Sequence, residues 1–107
     1  MSSFDKREEG FEKKFALDEE QKFKAEARRN KLLGLWAAEK LGLTGDAATA
    51  YSKEVVAADF EEAGDKDVQD KVMKDLAAKG VAATAAEVRA KMDELMALAA
   101  AQVKAGT

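Results

Sequence analysis

The chain has 107 residues, enough for one domain with a single core, and it contains no proline, cysteine or histidine. The missing Cys and His exclude the commonest metal, haem and thiol sites and the most frequent general base, so we expect no enzyme activity, catalytic residue, metal or cofactor. A formal net charge of −3 argues against nucleic-acid binding, and no apolar run approaches the ~20 residues that span a bilayer.

The first element is a charged N-terminal segment, residues 1–17, that contains three phenylalanines. At about 100° per residue, Phe11 and Phe15 each fall within about 20° of Phe4 on a helical projection, so the three rings form one narrow stripe. Residues 5–14 carry four positive and four negative charges around that stripe. The segment is therefore predicted to form an amphipathic helix whose polar face is electrically balanced.

Three roles are open for this stripe. It can pack on the protein's own bundle, lie on a membrane surface, or bind a groove in a partner protein. A membrane helix is disfavoured because its polar face is normally basic. A lone helix of this length is marginal in water, whereas burial of three Phe at about 2 kcal/mol each would offset much of the ordering cost. The segment is thus predicted to be mobile or nascent helix when free and helical in a partner's groove.

A second helix is predicted from about residue 19 to residue 41. Asp18 can serve as its N-cap, with Gln21 completing a capping box. Phe23 lies about 100° from Phe4 on the helical projection, so a new apolar face begins there. Residues 32–38 are apolar in nearly all directions, which predicts the central helix of a bundle, and every aromatic residue beyond the first three is predicted to lie in the core. The new face comprises Phe23, Ala27, Gly34, Ala37 and Leu41.

Three more helices are predicted, at about residues 46–63, 67–79 and 85–104. Gly42, Gly64 and Gly80 can each end a helix in a left-handed conformation, and Thr84 with Glu87 forms a T-x-x-E capping box. Residues 18–107 are therefore predicted to form an all-α four-helix bundle. Its apolar positions are Tyr51, Val55, Ala58, Val56 and Phe60, then Val68, Val72 and Leu76, then Val88, Met92, Leu95, Ala99 and Val103.

Two charged clusters are interpreted as solvated surface. The stretch ARRNK, with Arg28, Arg29 and Lys31, is predicted to be an exposed helix face. The acidic run DFEEAGDKDVQD fails the EF-hand pattern, because Asp70 stands where Gly is needed and Leu76 where Glu is needed. Its acids are predicted to cap helices and to solvate a turn.

The stretches FDKREEGFEKKFALDEE, FKAEARRNKLLGLWAAEKLG and KEVVAADFEEAG resemble the zeta subunit of the alphaproteobacterial F-type ATP synthase. The resemblance implies a four-helix bundle with a mobile N-terminal segment that inserts between catalytic alpha and beta subunits and reaches gamma. There it becomes helical and blocks ATP hydrolysis. It also implies a cytoplasmic regulatory subunit, monomeric when free and peripheral to the membrane-bound enzyme, with no direct membrane insertion.

Carried onto this chain, the inhibitory segment is about residues 2–17. The expected anchors are the three phenylalanines, and the expected rim contacts are charged. An adenine nucleotide is a further partner suggested for the family, yet neither a G-x-x-x-x-G-K-[ST] loop nor a G-x-G-x-x-G turn is present, so no residue is assigned to it. The partner-binding residues are Phe4, Lys6, Arg7, Glu8, Glu9, Phe11, Glu12, Lys13, Lys14 and Phe15.

A generic helical adaptor is the alternative function. In that case the N-terminal helix would pack on its own bundle, and the chain could sense adenine nucleotides without acting on the ATP synthase.

Overall fold

Helix formation is favoured along most of this chain because it is rich in Ala, Leu, Lys and Glu and has no proline. The structure, a computed structural model, describes residues 17–59 and 65–106. Within those ranges it contains four helices and no strand, which confirms the all-α, four-helix fold. The helices are α1 (Glu19–Lys40), α2 (Gly45–Ala58), α3 (Lys66–Ala78) and α4 (Ala85–Lys104).

Both ends of α1 form as the sequence predicts. The Gln21 backbone N–H donates to Asp18 Oδ1 at 2.7 Å, and the Asp18 N–H donates to Gln21 Oε1 at 3.3 Å, which completes the capping box. At the other end Gly42 has φ 77°, a left-handed value that glycine adopts without strain. The Leu43 N–H then donates to the Ala38 carbonyl at 2.9 Å, so the last turn closes as a Schellman motif.

The other helix ends match the prediction less evenly. Thr84 accepts a hydrogen bond from the Glu87 N–H at 3.1 Å, and α4 begins where the T-x-x-E pattern predicts. The helix predicted over residues 46–63 is described as far as Ala58, with Asp59 as its C-cap, and the rest of the predicted range lies outside the described residues. Asp65 occupies the N-cap position of α3 but makes no capping hydrogen bond with its side chain. Phe60 and Gly64 lie outside the described residues.

Helix α1 is central, as predicted, and packs mainly against α2 and α4. Helix α3 makes smaller contacts with each of the other three helices. The apolar stripe of α3 and the residues Val88, Met92 and Ala99 of α4 lie in the core, and Trp36 and Leu95 pack against it while partly exposed. Val103, predicted for the α4 stripe, is only half-buried. Burying the core set removes most of the helices' inward-facing aliphatic side chains from water and is the main driving force for the fold. Fully buried are Leu33, Ala37, Val55, Val68, Val72, Leu76, Val88, Met92 and Ala99, with Tyr51 and Ala58 nearly so.

The predicted core position of Phe23 is wrong: 58% of the residue is exposed. The first half of α1 buries Ala25, Arg29 and Asn30, whereas Gly34 and Ala37 lie on the predicted face. The buried face of α1 therefore shifts around the helix axis along its length, because its N-terminal half buries Arg29 and Asn30 and leaves the Phe23 ring exposed.

None of the helices within residues 17–59 and 65–106 has the length and hydrophobicity required to span a membrane.

Candidate functional site

The ten residues predicted to bind a partner all belong to residues 1–16, which lie outside the described residues. Their assignment stays a prediction. The structure describes the surface to which this segment is attached. Leu17 is half-buried, and Asp18 caps α1 directly after it, so the bundle's first helix has a fixed start at Glu19.

A cleft lies beside this junction, between α1, α2 and the end of α4. Its volume is about 690 Å³. Phe23, Ala27, Val56 and Val103 provide its apolar lining. Among the described residues that line it, the charged ones are all cations and come from α1: Lys24, Arg28 and Lys31. The cleft thus combines an apolar floor with a positive rim.

A network of ion pairs joins α1 to the N-terminus of α3 and to α4. Asp65 is its centre: Arg89 Nη1 donates to Asp65 Oδ2 at 2.8 Å, and Arg89 Nη2 donates to Oδ1 at 3.1 Å. Arg29 Nη1 donates to Oδ2 at 3.4 Å, and Arg89 Nη2 also donates to Gln69 Oε1 at 2.8 Å. The prediction of ARRNK as an exposed face is therefore wrong for Arg29, which is only 5% exposed. Its burial is tolerated because its charge is paired.

The network changes the acidity of Asp65. The hydrogen bonds from Arg89 lower the pKa of this carboxyl below its ordinary 3.8, desolvation opposes that shift, and the positive charges of Arg89 and Arg29 add to it. The pKa of Arg89 is raised in turn, chiefly by its hydrogen bonds to Asp65. Both shifts favour the charged pair, so the network is ionised at neutral pH.

Asn30 extends this network toward the cleft. Arg29 Nε donates to Asn30 Oδ1 at 2.8 Å, which fixes the orientation of the amide. Asn30 is fully buried, and its Nδ2 has no hydrogen-bond partner among residues 17–59 and 65–106. It faces a recess of about 10 Å³ that Phe23 and Asp59 also line. That volume holds about one water molecule, which would satisfy the amide.

A second polar cluster joins α2 to α3. The Tyr51 hydroxyl donates to Asp75 Oδ2 at 2.9 Å, and Lys71 Nζ donates to the same oxygen at 3.0 Å. Lys71 Nζ also lies 5.3 Å from the Tyr51 ring centroid and 3.8 Å from Glu54 Oε1. Burial raises the pKa of Tyr51, and the hydrogen bond to Asp75 and the charges of Asp75 and Glu54 raise it further. The cluster holds the phenol neutral and positions it against α3.

The sequence signals for these clusters were weak. Lys71 and Asp75 are spaced i, i+4 on one helix and are identifiable from sequence. The partners of Arg29 and Tyr51 lie 36 and 24 residues away, and no local pattern indicates them. Within residues 17–59 and 65–106, no group of three or more His, Cys, Asp or Glu is arranged to hold a metal ion.

Comparison with known proteins identifies the family. The family model for ATPase inhibitor subunit zeta matches residues 1–102. A protein whose structure was solved in solution by NMR is 60% identical, with a TM-score of 0.69, over 79% of this chain and 96% of its own. A search of curated proteins returned no match. The match covers nearly the whole chain, so this protein belongs to the family of ATPase inhibitor subunit zeta.

Proposed function

We propose that this chain inhibits ATP hydrolysis by the F-type ATP synthase by inserting residues 2–17 into the interface of the catalytic alpha and beta subunits, close to gamma. The observation that carries the proposal is the family match, which begins at residue 1 and includes the whole segment. The capping box at Asp18 supports it, because α1 has its own start just after the segment.

The phenylalanine stripe would supply the binding free energy. Phe4, Phe11 and Phe15 are the anchors that enter the groove, and burial of each contributes about 2 kcal/mol. Part of this gain offsets the conformational entropy lost when the segment becomes helical. The charged side chains around the stripe pair with polar groups at the groove's rim: Lys6, Arg7, Glu8, Glu9, Glu12, Lys13 and Lys14.

Inhibition would follow from differential binding. A segment that fits only one conformation of the catalytic interface stabilises that conformation and opposes the movements that hydrolysis requires. The inhibitor has no need to contact ATP, so inhibition is expected to be noncompetitive with respect to ATP. The four-helix bundle would hold the base of the segment and provide a second surface for docking.

The experiment that tests the proposal moves the middle phenylalanine of the stripe by one position and keeps the amino-acid composition unchanged. Exchanging two neighbours, Phe11→Glu with Glu12→Phe, rotates the middle ring by about 100° off the stripe and leaves the net charge unchanged. The exchange should weaken inhibition of a purified F-type ATPase by at least about 10-fold, since an anchor of about 2 kcal/mol is lost.

The matched control is Leu98→Ala on α4. It truncates an apolar residue of the bundle that is 46% exposed, and it leaves residues 2–17 unchanged. Inhibition by this variant should equal that of the unchanged chain. Equal inhibition by the exchange variant would mean that the phenylalanine stripe is not the inhibitory element.

A further inference from the structure

The positive rim of the cleft beside the junction follows the helical repeat of α1. Lys24, Arg28 and Lys31 are spaced i, i+4 and i+7, so they lie on one face of the helix. Lys24 and Lys31 are exposed at the surface, and Lys24 Nζ forms an exposed ion pair with Glu20 Oε1 at 3.2 Å. This spacing extends positive charge along about two turns of α1.

The floor beneath this rim is apolar and is built by three helices. Phe23 and Ala27 come from α1, Val56 from α2 and Val103 from the end of α4. Val56 and Val103 are half-buried, so each still presents apolar surface to the cleft. A lysine-rich helix face is normally solvated over a convex surface. Here the cations border a concave apolar surface, the floor of a cleft whose volume is about 690 Å³.

These features select an occupant by charge. An acidic segment with one or two large apolar side chains would place carboxylates on the rim and bury its apolar groups on the floor. The cleft begins at Gln21, four residues after Leu17. If residues 2–17 enter the catalytic head, this face of the bundle is close to the point of entry, within reach of the head's outer surface.

We propose that the cleft docks an acidic, partly apolar segment on the outside of the ATP synthase catalytic head, as a second contact beside the inserted N-terminal segment. This inference rests on the proposed function. Once the N-terminal segment is bound, the cleft is held near its partner segment at a high effective concentration. The second contact therefore adds to the affinity of the whole chain.

The test uses full-length chains and purified catalytic head, with direct binding as the readout. Reversing two rim charges, Lys24→Glu with Lys31→Glu, should weaken binding by about 10-fold or more and reduce its dependence on salt. The control reverses two exposed lysines elsewhere, Lys53→Glu with Lys74→Glu, and so changes the net charge equally. The control should change affinity by less than about 2-fold. An equal loss of affinity in the rim double variant and the control double variant would overturn the proposed docking site.

Two further results separate this inference from its alternatives. If the charge-reversed rim binds as tightly as the original while deletion of residues 2–17 abolishes inhibition, the cleft proposal fails and the proposed function stands. If that deletion leaves inhibition intact, the proposed function fails. If deleting residues 2–17 from the free protein shifts the NMR signals of Val56 and Val103, the chain's own segment fills the cleft, and docking of a partner segment is overturned.

Discussion

Gly34 of α1 and Ser52 of α2 lie so close that no side chain fits between the two helices. A Cβ added at Gly34 would lie 2.5 Å from Ser52 Cα, 3.0 Å from Ser52 Cβ and 3.3 Å from Val55 Cγ2. Two of these atoms are fixed by the backbone of α2, so the clash cannot be relieved by rotating a side chain. The absence of a Cβ at Gly34 therefore sets the separation of α1 and α2.

Replacing this glycine should destabilise the bundle. Alanine would gain about 1 kcal/mol of helix propensity at Gly34, but forcing the helices apart should cost more, for a net loss of about 1 to 3 kcal/mol. Urea unfolding followed through the fluorescence of the single Trp36 measures this change. If the destabilisation comes from the steric clash with Ser52, Gly34→Val should lower the free energy of unfolding more than Gly34→Ala does. Unchanged stability in both variants would contradict the close contact.

Neutralising Asp65 should destabilise the protein and change its response to acid. Asp65→Asn removes the negative charge that compensates the buried Arg29 charge. The free energy of unfolding at neutral pH should fall by about 1 to 2 kcal/mol. The loss is no larger because the Asp65 side chain is 36% exposed and solvent screens part of its charge. Because folding lowers the pKa of Asp65, its contribution is complete above the ordinary value of 3.8 and is lost as the pH falls through the folded value.

The measurement is the free energy of unfolding as a function of pH for the two proteins. Their difference should be constant near neutral pH and should shrink below about pH 4. Asp70→Asn is the control, because Asp70 is exposed on the same helix. A similar loss in Asp70→Asn would show that the network around Asp65 has no special role.

Tyr51 should resist ionisation for as long as the protein is folded. It is the single tyrosine, so the ultraviolet absorbance of phenolate reports it alone. Folding raises its pKa above the ordinary 10.0, so its contribution to stability is complete below pH 10 and is lost as the pH rises toward the folded value. Phenolate should therefore appear together with alkaline unfolding.

Asp75→Asn should lower the pH at which Tyr51 ionises, because it removes the acceptor's negative charge while an amide oxygen still accepts the hydrogen bond. Tyr51→Phe should cost about 1 kcal/mol of stability, since Lys71 still donates to Asp75. Ionisation of Tyr51 at an unshifted pH in the folded protein would contradict the geometry of this cluster.

The N-cap of α1 should contribute measurably to stability. Asp18→Ala removes the acceptor for the Gln21 N–H and should cost about 1 kcal/mol, whereas Asp18→Ser retains a cap and should cost far less. Denaturant unfolding of the two variants gives the comparison. If both variants lose the same stability, the capping hydrogen bond is not the cause.

Local sequence patterns predicted the helices well because their signals act within a few residues. The capping box at Asp18 and the left-handed Gly42 fix both ends of α1 through contacts no more than five residues apart. The stripe of Val68, Val72 and Leu76 identified the buried face of α3 for the same reason. Such features depend on the helical period and on backbone geometry, and both can be derived from sequence.

Tertiary pairing accounts for the errors. Arg29 is buried because Asp65, 36 residues away, accepts from it, and a local charge count predicted exposure instead. Phe23 was predicted as core from its aromatic character, yet it lines an open cleft with Val56 and Val103. The role proposed for Phe4, Phe11 and Phe15 requires a groove in a partner protein, and this chain's sequence carries no information about that partner's surface.

The most direct measurement of the central claim compares the full chain with residues 18–107 as inhibitors of a purified F-type ATPase. Trp36 fluorescence and denaturant unfolding first establish that the shorter chain is folded. Removing residues 2–17 should weaken inhibition of ATP hydrolysis by at least about 100-fold, because the loss of three anchors of about 2 kcal/mol each exceeds the 2.7 kcal/mol that this factor represents. Equal inhibition by the folded shorter chain would contradict the account.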